Sequence, residues 1–473
     1  MPPKHLNFIL FAGLVSLVCY STFQFIRPAL VIGDAMQLID RYYVEPVDSE
    51  ALVGAAMNGL TGELDENSSF IAASAYDSFQ NTINQEFAGI GILIEQPEPT
   101  RPVRVITPMV GSPALRAGFL PGDEIVDVAG NDVSAMEINE VSKLLRGPIG
   151  TTVEVKVRRD EQVVDLSVRR ETIPLESVVG DHRDASDDWV YRLAEASEIA
   201  YIRLTTFGDK TPQELERTLR ELDNDFAALI LDFRGNGGGL LSTAVAVCDM
   251  FLDGGRIVST KTRGGVLEDT WEATPGTLVD SEKPILVLID GNSASASEIV
   301  AACLQDHGRA KVAGVRSYGK GTVQNILPLQ LGRSALRLTV ANFYRPNDHN
   351  IHRGRQATEA DEWGVVPDAG LFVPVDLKKE RFILRRWRRA SFPLIADEVP
   401  DEETTDGDTD SVDNEGEADR QDEIGEAAPR RPADPPLGPP ITGDPPLDQA
   451  LHYLRGQIRA SEPGAAAPTP VAA

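Results

Sequence analysis

Cysteine is nearly absent from this chain: three residues in 473 (Cys19, Cys248 and Cys303), with no CxxC spacing among them. A disulfide framework is excluded, and buried free thiols are the default for Cys248 and Cys303, whose neighbours are small and apolar. No histidine and cysteine cluster has metal-ligand spacing, so neither a metal nor a cofactor is expected. Aromatics make up 6% of the chain and no basic stripe interleaves with them, which excludes nucleic acid as a partner. Basic residues are outnumbered, 45 against 73 acidic ones, for a net charge of −28. Much of the excess is local. Fifteen acidic residues and one arginine lie between Asp397 and Glu426, ahead of a proline-rich run from Pro429 to Pro446. Such a stretch cannot bury enough apolar surface to offset its ordering entropy, and residues 391–445 are expected to be disordered. Long apolar runs are scarce as well. The one at the start, Leu6–Tyr20, follows a short basic stretch and has the length of a signal peptide. Without an A-x-A cleavage site it is expected to remain as an anchor over residues 1–30, exporting the rest.

The remainder carries regular patterns. Residues 31–84 show apolar positions three and four apart and read as helices. From Phe87 the period becomes two. Residues 85–172 form a module of strands with two helices, "GSPALRAG" and "MEINEVSKLLRG", and a closing hairpin. In that hairpin Val153, Val155 and Val157, then Val164, Leu166 and Val168, alternate with other residues on either side of an Asp160–Glu161 turn. Residues 173–390 change architecture. "AALILDF" and "PILVLID" are continuous apolar runs, as expected of strands covered on both faces, each followed by a turn and a helix. This is an α/β layered domain, whose ligand site should lie beyond the strand C-termini. The basic run "KKERFILRRWRR" (378–389) reads as a solvated helix face, able to attract the acidic segment or anionic lipid. Residues 446–460 read as a last helix.

Three segments fall at such strand ends: "DFRGNGGGLLSTA" (232–244), "GNSASASEIVAACLQDHG" (291–308) and "GVRSYGKGTVQ" (314–324). The last contains G-x-x-x-x-G-K, yet Gly321 replaces the Ser or Thr of a P-loop and extended structure follows, which argues against nucleotide binding. Lys320 instead suits a general base. Burial without a counter-ion disfavours the ammonium, and Gly319 and Gly321 let the backbone turn tightly around it. One of the serines 293, 295 and 297, at a strand-to-helix turn, would have its hydroxyl near a helix N-terminus, where developing negative charge is favoured. Gly237, Gly238 and Gly239 allow close approach to main-chain amides able to receive an oxyanion. The six histidines offer no convincing alternative base: His307 reads as part of a helix cap, and His349 and His352 as a surface loop.

In this order, "LILDFRGNGGGLL", "SASASEIVAACLQDHGRAKVAG" and "SYGKGTVQ" resemble the C-terminal processing (tail-specific) serine peptidases. The resemblance extends to "YVEPVD", to "FAGIGILI" and "GSPALRAGFLPGDEIVDVAG" of a PDZ domain, and to "GVVPD", covering residues 35–370. It implies a crotonase/ClpP-like layered α/β core (173–390) with an inserted PDZ domain (85–172) and an N-terminal helical region. By the family pattern the nucleophile is Ser295, the base is Lys320, Gln324 orients the lysine, and Asp306 holds a position that influences activity. The amide of Ala296 and one from Gly238 or Gly239 would form the oxyanion hole. Gly89, Ile90, Gly91 and Ile92 would receive the substrate's terminal carboxylate. The implied protein is a periplasmic endopeptidase, anchored to the inner membrane, that takes protein and peptide substrates by their C-termini. Its oligomeric state is open, a homo-oligomer included. The rival expectation is an inactive PDZ adaptor. The sequence departs from the family pattern at "LDENSSF", in a region expected to be helical, and in the long run "RPNDHNIHRGRQATEADEWGVVPD".

Overall fold

A computed structural model describes residues 3–76, 79, 86–98, 101–329, 333–354, 356–358, 360–394 and 433–461. The chain divides into two units, residues 1–76 with 324–339, and 77–323 with 340–473. In the first unit, helix α1 (Pro3–Tyr42) runs for 40 residues, so the expected boundary after residue 30 is not a break in structure. Among the described residues, no helix is long and apolar enough to cross a membrane. Helix α2 (Ser49–Gly62) is capped by Asp48, whose Oδ1 accepts from the Glu50 amide at 2.9 Å. The helical expectation fails at residues 65–71 and holds again at 73–76. The Asp65 carboxylate accepts from the Asn67 amide at 2.9 Å and the Ser68 hydroxyl at 3.0 Å, making a local turn that competes with helix. Strand β1 (Ser69–Ile71) follows and pairs antiparallel with residues 335–337.

In the second unit, strands β2 (Glu86–Gly89), β3 (Ile92–Glu95) and β4 (Arg104–Pro108) precede the short helix α3 (Pro113–Ala117). Strand β5 (Glu124–Val128), helix α4 (Ile138–Leu145), and strands β6 (Thr152–Arg159), β7 (Gln162–Arg169) and β8 (Glu171–Pro174) complete the module. The hairpin expected between β6 and β7 forms with Val153 opposite Val168, Val155 opposite Leu166, and Val157 opposite Val164. Asp160 and Glu161 both take positive φ, 47° and 65°, as a two-residue hairpin turn of this hand requires. Val105, Phe119, Ile125, Val128 and the β6 valines are buried together. The sheet order β3-β4-β5-β6-β7 leaves β3 at an edge.

The layered core follows. Strands β9 (Ala196–Leu204), β10 (Ala228–Asp232), β11 (Ile285–Ile289) and β12 (Ala310–Gly314) are parallel neighbours in that order. Every residue of β10 and β11 is buried, as their unbroken apolar runs require. Helices α5 (Thr211–Leu222), α6 (Leu241–Asp249) and α7 (Ala296–Asp306) bury Leu215, Leu219, Val247, Val300 and Leu304 in one apolar cluster with this sheet. Strands β13 (Thr322–Leu329) and β14 (Ser334–Tyr344), which pair with each other, belong for the most part to the first unit, and helix α8 (Leu377–Ser391) belongs to the second.

A second cluster joins the sheet residues Ile199, Tyr201, Ile230, Leu286 and Leu288 to helix α9 (Pro445–Ser461), through Leu447, Ala450, Leu451 and Leu454. The expectation of disorder over 391–445 is corrected in part. Residues 395–432 lie outside the described residues, whereas 433–444 are part of the folded body. Asp444 is 1% exposed; its Oδ1 accepts from Arg234 at 2.8 Å and from the Leu447 amide at 3.2 Å, starting α9. Arg234 also bonds Asp232 at 2.6 Å, and Tyr201 donates its hydroxyl to Asp232 at 2.7 Å. Composition hid this segment because it is held mainly by polar ties, among them Asp434 to the Phe372 amide at 2.7 Å and buried Asp444 to Arg234.

Candidate active site

The turn after β11 is built by side chains that read as spare hydroxyls in the sequence. Ser293 Oγ accepts from the Asp290 amide and donates to the Phe233 carbonyl, each at 2.9 Å. Ser297 Oγ donates to the Asn236 carbonyl at 2.8 Å. Both serines are fully buried, so they fasten this turn to the loop after β10. Ser295, between them, is half-buried and adopts φ 56°, ψ −113° at the N-cap of α7. Left-handed φ on a residue with a Cβ costs of order 1–3 kcal/mol and persists where surrounding contacts over-determine it. The consequence is a hydroxyl lifted to a helix N-terminus, where the dipole favours negative charge.

The loop Phe233–Leu240 approaches from the neighbouring strand. Asn236 Nδ2 donates to the Leu204 carbonyl at 2.8 Å, and its carbonyl oxygen accepts from the Ala294 amide at 3.1 Å. Gly238 has φ 101°, and a Cβ there would fall 2.6 Å from Ala294 O and 2.8 Å from Ser295 Cβ. No side chain fits. The Gly238 amide donates to Asn236 Oδ1 at 2.9 Å. Gly239 and Ala296, also named from the sequence, have amides with no acceptor among the described residues.

Glu298 joins this turn to the lysine loop. Its carboxylate is wholly buried. It accepts from the Ser295 amide at 2.8 Å, the Ser317 hydroxyl at 2.5 Å, the Gly319 amide at 2.7 Å and the Lys320 amide at 2.8 Å. Burial pushes the Glu298 carboxyl up, and the bonds from Ser317, Gly319, Ser295 and Lys320 oppose that rise. Ser317 Oγ in turn accepts from the Val365 amide at 2.7 Å. Residues 350–353 of the long run pack against the lysine loop, with the Arg353 amide donating to Gly319 O at 2.8 Å. A Cβ on Gly321 would lie 2.4 Å from the His352 amide nitrogen, so the glycine beside the lysine is a packing requirement. Lys320 itself is half-buried, and β13 begins two residues later, which leaves no helix to complete a P-loop.

The other named residues are distributed as follows. Gln324 lies on β13 and donates its amide nitrogen to Thr339 Oγ1 at 3.2 Å; that hydroxyl donates to Asp65 at 3.0 Å. Asp306 is not brought to the serine. It ends α7, the 11-residue helix that Ser295 begins, about 16 Å away at 1.5 Å per residue. Its carboxylate pairs with Arg345 at 2.6 Å. His307 is the C-cap of that helix, as expected, with Nε2 2.7 Å from the Arg256 carbonyl. In the strand module, Gly89 ends β2, Ile90 is buried, and Gly91 takes φ 76° with Ser112 Cβ 2.5 Å from where its own Cβ would lie. Ile92 opens the edge strand β3. Among the described residues there is no group of three metal-ligating side chains.

Sequence reasoning missed Glu298, Ser317, Asn236 and Asp444. Only the first had a local signal: Ser295-Ala-Ser-Glu298 has the S-x-x-E spacing in which the fourth residue reaches back to the N-cap amide.

A strained serine at a helix N-terminus, a glycine loop pressed against it and a lysine loop tied to the same carboxylate are the parts of a serine-type peptidase. The chain belongs to peptidase family S41, whose profile matches residues 198–369, while a PDZ domain profile matches residues 104–159. It is 36% identical over 326 residues to a carboxy-terminal-processing protease of Bartonella bacilliformis, covering 67% of this chain and 71% of that one. It is 33% identical over 326 residues to the carboxy-terminal processing protease CtpA of Bacillus subtilis, covering 68% and 66% respectively. A solved photosystem II D1 C-terminal processing protease is 29% identical, with 73% of this chain and 92% of that chain covered and a TM-score of 0.41.

Proposed function

We propose that this peptidase cleaves proteins near their C-termini, with Ser295 as nucleophile and Lys320 as general base. The carrying observation is Glu298, whose carboxylate takes the Ser295 and Lys320 amides at 2.8 Å each and so fixes the two loops together. In the first step neutral Lys320 Nζ takes the Ser295 Oγ proton while Oγ attacks the scissile carbonyl. The oxyanion is met by the amides of Ala296 and Gly239; the Gly238 amide is already engaged by Asn236. Collapse expels the amine, which takes the proton from the Lys320 ammonium. Water then attacks the acyl ester with Lys320 as base again, releasing the acid and restoring the serine. Asp306 is held away from Ser295 by its pair with Arg345, so it takes no part in these steps.

The substrate end is read by the PDZ module. Support comes from Gly91, where an added Cβ would fall 2.5 Å from Ser112 Cβ, and from β3, whose position at the sheet edge permits strand addition. No lysine or arginine lies in "FAGIGILIE", so backbone amides carry the recognition. A peptide with a free C-terminus should be turned over with kcat/KM at least several-fold higher than its amidated twin. Equal values would remove the module from substrate capture.

The apolar run Leu6–Tyr20 supports export and anchoring to the membrane, with the body in the periplasm. Carbonate washing of membranes should leave the full chain in the pellet and release a chain lacking residues 1–30. Release of both would remove the anchor.

A further inference from the structure

Cys248 and Cys303 take no part in the peptidase steps, yet they are not two isolated thiols. Each lies in the last turn of its helix, Cys248 in α6 and Cys303 in α7. Both are fully buried in the apolar cluster that these two packed helices share. Just beyond them the helix ends are pinned to the same stretch of chain. Arg309 Nε donates to the Phe251 carbonyl at 3.1 Å, and His307 Nε2 stands 2.7 Å from the Arg256 carbonyl. The two thiols are hydrogen-bonded to each other, and Cys303 is bonded to His307 as well. The imidazole gives this cluster a direction. A carbonyl only accepts, so Nε2 carries a proton and Nδ1 is the ring nitrogen left for the Cys303 sulfur. A Cβ on Gly255 would fall 2.6 Å from His307 Cε1, so that glycine lets the ring lie where it does. The two neighbouring acids are already engaged, Asp306 by Arg345 and Asp249 by the Thr274 amide, each at 2.6 Å.

We propose that Cys303 and Cys248 are a peroxide-reactive thiol pair that closes to a disulfide between the last turns of α6 and α7, with His307 as the proton acceptor of Cys303. The charge distribution agrees with the geometry. The bond from Cys248, joined by that from His307, brings the Cys303 thiol down to about 7 against the effect of burial. The bond to Cys303 raises His307 to about 9, while burial pushes the Cys248 thiol up. Cys303 is therefore the attacking sulfur and Cys248 the resolving one. The Cys303 thiolate attacks one oxygen of hydrogen peroxide; the S–O bond forms, the O–O bond breaks, and the departing hydroxide takes the imidazolium proton as water. The Cys248 sulfur then attacks the sulfenic acid; the S–S bond forms, the S–O bond breaks, and the second hydroxide leaves as water with the Cys248 proton. Two thiols are oxidised by two electrons and one peroxide is reduced to two waters. His307 is exposed, so the pair lies one side chain below the surface, within reach of a small oxidant and out of reach of a protein disulfide. The bond would tie together the helices that follow the glycine loop and begin at Ser295.

The test uses the full chain with Cys19→Ser, so that only this pair reacts. The chain is reduced, treated with hydrogen peroxide at about pH 7, then unfolded in N-ethylmaleimide. Chains kept from peroxide should be alkylated at both cysteines. Treated chains should take up no maleimide, and peptide mapping should find the Cys248 and Cys303 peptides joined. With Cys248→Ser added, Cys303 should stop at the sulfenic acid, read as a dimedone adduct on that residue. With His307→Asn added instead, disulfide formation at the same pH should slow at least ~tenfold and recover as pH rises, because the thiolate loses its partner cation. A role for His307 confined to capping α7 would move the melting temperature and leave that pH profile where it was. Alkylation of both cysteines after peroxide would overturn the proposal, and so would joined peptides that form as fast without His307 as with it.

Discussion

Lys320→Ala should lower kcat by ~10²–10⁴-fold, the usual worth of general-base assistance, and Ser295→Ala should lose nearly all turnover. The double variant should be little worse than either single one, because groups that act as one unit are strongly non-additive. Steady-state kinetics on one peptide substrate reads all three. Retention of more than about a tenth of wild-type kcat by Lys320→Ala would show that another group takes the serine proton. Activity should rise with pH as the lysine loses its proton, and a profile set by a group near ~6.5 would point to a histidine. Glu298→Gln separates position from chemistry in the same assay. Its amide cannot accept all four donors now met by the carboxylate. It should lower kcat at least tenfold with KM nearly unchanged, while a purely structural role would move the melting temperature and leave kcat alone.

The second large effect is on stability. Asp444→Ala removes one of the two buried carboxylates that hold Arg234 and also the first bond of α9. Breaking a buried ion pair from one side costs ~3–5 kcal/mol, which lowers the melting temperature by roughly 6–20 °C in a domain of this size. Deleting residues 397–426 alone should shift it little, since an acidic run of this composition contributes little packing. Deleting 397–461 should be severe, because Leu447, Ala450, Leu451 and Leu454 leave the sheet with α9. Thermal unfolding of the three variants decides the matter. Similar melting temperatures for Asp444→Ala and wild type would mean that the Arg234 cluster is not a tie.

Much of this arrangement was legible beforehand because the signals were local. The apolar runs at β10 and β11 announced strands covered on both faces, and the turns after them announced the site. Alternating valines and the Asp160–Glu161 turn fixed the register of the β6–β7 hairpin. What escaped was non-local. Asp444 meets Arg234 across 210 residues, and nothing in the composition of its proline-rich surroundings marks one acid as buried. Asp306 is named by the family pattern alone; the structure puts it at the far end of the helix that Ser295 begins, where Arg345 takes its carboxylate. The helical reading of the stretch around "LDENSSF" failed for a third reason: Asp65 bonds its own following residues and opens the strand at Ser69.

Covalent labelling tests the central assignment most directly. A fluorophosphonate should add once per chain at pH 8, and peptide mapping should place the adduct on Ser295. Ser293 and Ser297, bound to Phe233 and Asn236 and fully buried, should stay unmodified. Ser295→Ala should abolish the adduct, and Lys320→Ala should slow its formation by at least a hundredfold. An adduct on another serine, or labelling as fast without Lys320 as with it, would contradict the assignment of Ser295 and Lys320 as nucleophile and base.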